Sequence, residues 1–263
     1  VTPLANVNVD VDGGGYGTCT DGSGAYAISG LAYGQYRVQA GGGWNFCTST
    51  DSEYVQEYYQ ETVNWEEAQV FDLHAGNTLV TGIDFTLSLG GSISGRVTDD
   101  GTGLPLANAR VSANEYDDNQ YGMDGWTDAS GYYTITGLVD ADYRVSVNGD
   151  SNPGYAQQYY PGTFAHHDAA RVTISGGSTV SGIDFALLPG GRIQGQIVDK
   201  DTGQPIPNLN LDASLGDGQG GIGHCTEADG TFVIQGLIYG DYEVQAGGTW
   251  NHCLDEPGIY ARN

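Results

Sequence analysis

The chain has 263 residues and a mass of 27.7 kDa, with 33 acidic residues against 8 basic ones and a formal charge of −25. A field of that sign repels phosphate backbones and anionic lipid, which excludes nucleic acid and makes a membrane surface a poor partner. No apolar run reaches the roughly 18 residues a spanning helix needs, and 43 glycines point to short strands and tight turns rather than long helices.

Aromatic and β-branched residues remain frequent enough to build a packed core, so disorder is not expected. No signal peptide is visible at Val1, which is read as a mature or internal position.

From the N-terminus, the first unit is assigned to residues 1–89. It carries TDGSGAYAISGLAYGQYRVQA (Thr20 to Ala40), a Tyr54-Val-Gln-Glu-Tyr58-Tyr59 segment and GNTLVTGIDFTLSLGG (Gly76 to Gly91). Its one helix-tolerant stretch, Trp65 to Ala68, is too short to form a helix.

The second unit, residues 90–189, repeats these blocks. TDASGYYTITGLVDADYRVSV (Thr127 to Val147) and GSTVSGIDFALLPGG (Gly177 to Gly191) match the first unit, and Tyr155-Ala-Gln-Gln-Tyr159-Tyr160 matches its tyrosine segment. The second unit adds GGSISGRVTDDGTGLPLANARV at Gly90 to Val111. Within it the period is two: Ile93, Gly95 and Val97, then Tyr133 and Ile135, then Tyr143, Val145 and Val147, then Ile183, Phe185 and Leu187, alternate with polar or small residues. Alternation predicts strands with one buried face. Asp128-Ala-Ser-Gly131 supplies hairpin residues that tolerate positive φ.

The third unit, residues 190–263, opens with GGRIQGQIVDKDTGQPIPNLNL (Gly190 to Leu211) and continues with TEADGTFVIQGLIYGDYEVQA (Thr226 to Ala246). Three blocks in register define a repeat of roughly 100 residues, an ordinary domain size. About seven short strands per unit predict an all-β chain of three tandem antiparallel, Ig-like sandwiches.

The blocks G-x-I-x-G-x-V-x-D-x-x-T-G-x-P, T-D-x-x-G-x-Y-x-I-x-G-L and Y-x-V resemble the carboxypeptidase regulatory-like domain. That resemblance implies a transthyretin-like, seven-stranded sandwich related to collagen-adhesin B-type repeats, used as a non-catalytic spacer or appendage in secreted and surface proteins. Such adhesin repeats often carry an internal Lys–Asn bond. The single lysine, Lys200, leaves two of the three units unable to form one.

The four cysteines stand in matching contexts in units one and three. Cys19 and Cys47 are 28 residues apart, as are Cys225 and Cys253, and the second unit has Trp126 and Gly154 at the aligned places. Joint presence and joint absence predict Cys19–Cys47 and Cys225–Cys253 disulfides, each contributing roughly 2–4 kcal/mol. The alternatives are four free thiols or one metal site sharing four thiolates, which the lack of any CxxC spacing disfavours. Disulfides imply a location outside the cytosol, secreted or on the cell surface.

Val1-Thr-Pro-Leu-Ala-Asn6 aligns with Gly103-Leu-Pro-Leu-Ala-Asn108, and Tyr260-Ala-Arg-Asn263 with Tyr155-Ala-Gln-Gln158. The first unit is therefore expected to lack its first strand and the third its last strands. Unfinished sheets recruit strands, which predicts a head-to-tail homopolymer completed by strand exchange between subunits. The competing expectation is a polypeptide that continues beyond these residues.

Acidic residues cluster in turns at Asp10 and Asp12, Asp99 and Asp100, Asp117, Asp118 and Asp124, and Asp199 and Asp201. Oxygen ligands at such spacing suit calcium, though no complete EF-hand loop is present; solvated surface charge is the competing account. Tyr58, Tyr59, Tyr159 and Tyr160 can stack on glycans or pack against edge strands and neighbouring units. His166-His167-Asp168 occurs in one unit and reads as a solvated loop. No nucleophile, zincin or phosphate-loop motif occurs, so the chain is expected to be non-catalytic. The rival reading is an accessory or carbohydrate-binding module of a larger secreted protein.

Overall fold

The computed structural model describes residues 2–12, 15–117, 121–147, 154–215, 221–248, 250–254 and 256–257. Their regular structure is β throughout, apart from one 3₁₀ turn at His166–Asp168.

Residues 90–189 hold β9 to β17, and their arrangement explains the flanking units. In chain order the first unit supplies β1 (Asn8–Val11), β2 (Tyr16–Cys19), β3 (Gly34–Tyr36), β4 (Val38–Ala40), β5 (Trp44–Asn45), β6 (Thr50–Asp51), β7 (Glu57–Tyr58) and β8 (Phe71–Leu73). The middle unit supplies β9 (Gly91–Asp99), β10 (Arg110–Glu115), β11 (Gly122–Trp126), β12 (Tyr132–Leu138), β13 (Asp142–Val147), β14 (Gln158–Tyr159), β15 (Val172–Thr173), β16 (Thr179–Val180) and β17 (Phe185–Leu187). The third supplies β18 (Gly191–Gln196), β19 (Asn210–Leu215), β20 (Gly221–Cys225), β21 (Thr231–Leu237), β22 (Tyr242–Ala246), β23 (Trp250–Asn251) and β24 (Glu256–Pro257).

The middle unit is a sheet pair. One sheet runs β11-β10-β13-β14, with β15 also on β13; the other runs β12-β9-β16, with β17 also on β9. β9 lies antiparallel to β12 and parallel to β16 and β17. The residues picked out by alternation are those that meet between the sheets: Ile93, Val97, Tyr143, Val145, Val147 and Leu187 have no exposed surface, and Ile135, Phe185, Tyr133 and Ile183 are buried. Each large apolar side chain so buried contributes roughly 1.5–3 kcal/mol. Among the described residues the middle unit has nine strands where about seven were expected; three of them, β14, β15 and β16, are two-residue pairings that carry no alternation of their own.

Both flanking units depart from this pattern on the β9 side. In the first unit, one four-stranded sheet forms in the order β2-β1-β4-β7. Residues 25–31, which match β12, and 79–87, which match β16 and β17, form no strand. The sequence led us to expect the loss of one strand; the ladder is lost on both sides of it, since a segment cannot be a strand without a partner for its N–H and C=O groups. Ile83, Phe85 and Leu87 keep the alternation of Ile183, Phe185 and Leu187 but are half-buried rather than buried. In the third unit β18 pairs, among the described residues, with β21 alone, and Ile193 and Ile197 are half-buried where Ile93 and Val97 are sealed.

Candidate functional site: the junction between units

Near residues 88–90 and again near 188–190, one contact is built twice from matching atoms. At the first junction Gly90 N donates to Glu53 O (2.9 Å), Val55 N donates to Ser88 O (3.0 Å), and Tyr54 bridges Leu89. At the second, Gly190 N donates to Gly154 O (2.6 Å), Ala156 N donates to Leu188 O (3.1 Å), and Tyr155 bridges Pro189. No flexible linker separates the units. The backbone of one runs straight into the first strand of the next.

A glycine of the following unit closes each contact. Gly137 has φ +73°, and a Cβ there would lie 2.8 Å from Tyr54 O; Gly236 has φ +77°, and its Cβ would lie 2.7 Å from Tyr155 O. Both the left-handed backbone and the close carbonyl require glycine. Thr136 Oγ1 adds a bond to Ser52 O (2.7 Å), and the buried Tyr121 hydroxyl caps Gly137 O (2.7 Å). The same position in the first unit is Gly30, with φ +80°, and nothing among the described residues comes within 4 Å of its Cβ position.

Both expected disulfides are present. Cys19–Cys47 and Cys225–Cys253 have Cα separations of 5.8 and 5.9 Å. Each ties β2 or β20 to the turn after β5 or β23. Asn45 and Asn251 anchor those turns alike: Asn45 Nδ2 donates to Asn6 O (2.9 Å) and Asn251 Nδ2 to Asn208 O (2.8 Å).

The acidic residues serve turns and ion pairs. Asp99 Oδ1 accepts from Thr102 N (2.6 Å) and Thr102 Oγ1 (2.7 Å), and Asp99 Oδ2 from the Tyr155 hydroxyl (2.7 Å). The Tyr155 bond, then those from Thr102, holds its pKa below the usual carboxylate value. Asp199 repeats the turn with Thr202 Oγ1 and N and is lowered by the same bonds, while Asp201 N donates to Asp199 Oδ1 (3.1 Å). Asp100 N closes onto Leu187 O (3.0 Å). Asp117 pairs with Arg171 (2.9 Å), and Asp124 with Arg110 (2.6 Å). Asp12 accepts from Arg37 N (2.6 Å) and Trp65 Nε1 (3.1 Å). Asp10, facing Asn8, is pushed up by burial. Asp118 lies outside the described residues. Among the described residues no three of these carboxylates converge on one point.

The four tyrosines are half-buried. Tyr59 packs on Phe71 and Phe85, with ring centroids 5.5 and 6.1 Å apart, and Tyr160 packs on Phe185 at 6.3 Å. Tyr58 and Tyr159 each bridge back across a turn to Thr62 and Thr163. They knit strand edges to neighbouring loops. His166 and His167 are exposed on their 3₁₀ turn. Two features had no sequence signal. Arg37 stacks on Trp65 at 3.8 Å, and Arg144 and Arg171 both stack on Tyr116, at 4.5 and 3.9 Å.

With this geometry in place, the sequence of the middle unit can be matched to known families. Residues 92–188 match the carboxypeptidase regulatory-like domain. No curated protein matches the chain in sequence. Among solved structures, the Bacillus anthracis TIE protein is similar at 17% identity and a TM-score of 0.30, over 93% of this chain and 42% of that one. The minor pilin of Streptococcus agalactiae is similar at 14% identity and TM-score 0.28, over 59% of this chain and 82% of that one. The major pilin subunit BcpA of Bacillus cereus is similar at 11% identity and TM-score 0.22, over 100% of this chain and 90% of that one. The chain thus spans under half the length of the TIE protein. No helix among the described residues is long and apolar enough to cross a membrane.

Proposed function

We propose that this chain is a non-catalytic structural protein of the cell exterior whose units stack end to end, and that copies join head to tail through the contact that joins the units. The observation that carries this reading is the junction: Tyr54 O sits on Gly137 and Tyr155 O sits on Gly236, while among the described residues nothing comes within 4 Å of the Cβ position at the matching Gly30. A contact that joins successive units head to tail through the same atoms is heterologous, and a heterologous contact that does not close on itself propagates into a filament.

Strand complementation accompanies the junction in this reading. Among the described residues β18 has no parallel neighbour of the kind that β16 and β17 give β9, and residues 79–87, which match β16 and β17, run beside no strand that matches β9. One copy's β18 edge and the next copy's 79–87 segment are complementary, and open strand edges favour such pairing. Two disulfides support an oxidising location. At two of the acidic turns, Asp99 and Asp199 already accept from Thr102 and Thr202; calcium at the acidic loops would show as a melting temperature that falls on chelation.

Negative-stain microscopy of the purified chain tests the reading. Linear particles many units long are expected; isolated three-unit rods at every concentration would refute it.

A second reading is kept because of one patch. Trp44, Phe46 and Tyr16 are 61%, 43% and 42% exposed beside the first disulfide, an aromatic surface able to stack on sugar rings. Binding on a glycan array that disappears with Trp44→Ala would favour a carbohydrate-binding module.

A further inference from the structure

The two disulfides share a scaffold and differ in their neighbours. Thr18 precedes Cys19 and Phe46 precedes Cys47; at the matching places His224 precedes Cys225 and His252 precedes Cys253. The Sγ atoms of Cys225 and Cys253 and a ring nitrogen of His252 lie within 4.8 Å of one another, the one such cluster of potential metal ligands among the described residues. His252 is exposed and the two cysteines are half-buried, so the cluster opens to solvent.

Two further contacts place the imidazole. A Cβ on Gly223 would lie 3.2 Å from Asp212 Oδ1 and 3.5 Å from His252 Nε2, so the absent side chain makes room for a carboxylate and an imidazole on one side of β20. At the matching Gly17 the neighbours are Asp10 and the ring of Phe46. The turn that carries His252 and Cys253 is fixed by bonds that do not involve sulfur. Asn251 Nδ2 donates to Asn208 O, and Cys253 N donates to Asn251 Oδ1 (3.0 Å). Opening the disulfide therefore leaves both sulfurs and the ring close together.

We propose that reduction of Cys225–Cys253 creates a zinc site, with Cys225 Sγ, Cys253 Sγ and the His252 ring as ligands and a fourth position open to water or His224. Tetrahedral zinc with Zn–S near 2.3 Å needs sulfurs about 3.8 Å apart, a separation within reach of side-chain rotation here. The chemistry balances with a trialkylphosphine as reductant. The disulfide takes two electrons from phosphorus and two protons from water, and the phosphine leaves as its oxide. Each thiol then releases its proton as its sulfur bonds to zinc, two protons per ion. The Cys19–Cys47 pair, with Phe46 in place of histidine, is an internal control that offers only two ligands.

The test uses the full chain, oxidised and phosphine-reduced, titrated anaerobically with zinc against a chromophoric chelator and with cobalt(II) as a spectroscopic stand-in. The reduced chain is expected to bind one ion per chain with a thiolate-to-cobalt charge-transfer band, and the oxidised chain none. His252→Phe, which installs the residue the first unit already tolerates, is expected to weaken binding at least tenfold. Replacing Cys19 and Cys47 by serine is expected to leave the one equivalent in place. Binding by the reduced chain that is absent, that is equal in His252→Phe, or that disappears with the Cys19 and Cys47 substitutions would overturn the assignment. The oxidised–reduced comparison needs no variant to fold.

Discussion

The Tyr26 hydroxyl donates to Ile83 O at 2.6 Å, and the Tyr133 hydroxyl donates to Ile183 O at the same 2.6 Å. In the middle unit this clasp spans β9. Tyr133 faces Gly95 across the ladder, and a side chain on Gly95 would collide with Ile183 O and the Tyr133 ring. The first unit makes the same clasp over residues 25–31 and 79–87 without the intervening strand. Burial pushes the Tyr26 hydroxyl up to about 12, with Asp84 adding to the shift.

Removing the clasp separates its two settings. Tyr133→Phe leaves a buried carbonyl unpaired and is expected to cost about 1–3 kcal/mol in urea unfolding, whereas Tyr26→Phe, in the less buried setting, is expected to cost about 1 kcal/mol or less. Equal losses would mean that the two clasps are sealed alike.

The junction glycines differ in the same way. Gly137→Ala meets both the left-handed backbone and Tyr54 O, and Gly30→Ala the backbone alone. The backbone term is about 1–2 kcal/mol, so Gly137→Ala is expected to destabilise by more than that and Gly30→Ala by about that amount. Calorimetry of the two variants checks the order.

Much of this was legible in the sequence, and the limits have physical causes. Alternation at Ile93, Val97, Ile135 and Val145 identified the core, because a sheet with one wet face writes its period into the chain. The shared spacing of Cys19–Cys47 and Cys225–Cys253 identified the disulfides. The junction was not legible. Gly137 and Gly236 sit in a Gly-Leu pair that looks like strand, and the carbonyls they accommodate come from 83 and 81 residues earlier in the chain, at Tyr54 and Tyr155. The turn roles of Asp99 and Asp199 lay in the Thr-Gly that follows. Asp124 pairs with Arg110 on the neighbouring strand and Asp117 with Arg171, 54 residues on, partners that their clustering in the sequence does not name.

Either disulfide closes a loop of 28 residues. Loop-closure entropy for that length is roughly 3–4 kcal/mol. Serine at both Cys19 and Cys47 is therefore expected to lower stability by about that much, and added reductant should then cause a smaller further loss than it does in the wild type. Urea titrations with and without reductant measure both.

Glu57 gives a pH signature. Burial raises its pKa, the Ser88 N–H draws it partly back, and Glu61 adds to the rise. A carboxyl whose folded pKa is raised favours the fold fully below its unfolded value, and that contribution fades as pH climbs through the folded value. Gln158 holds the matching place in the middle unit and is 3% exposed. Glu57→Gln is thus expected to raise the melting temperature at pH 7.5 and to give no gain near pH 4. The lowered Asp99 and Asp199 act in the opposite sense, stabilising above about 3.8 and losing that contribution as pH falls further.

The central claim is that copies associate through the Gly30 face and the β18 edge, and light scattering behind size exclusion measures it most directly. Wild-type mass is predicted to climb with concentration well beyond 27.7 kDa. Arg192→Pro, which removes an N–H matching the one Ser92 donates to Ser178 O, and Gly30→Arg are each predicted to hold the mass at one chain. A wild-type chain that stays at one mass across the range, indistinguishable from both variants, would contradict it.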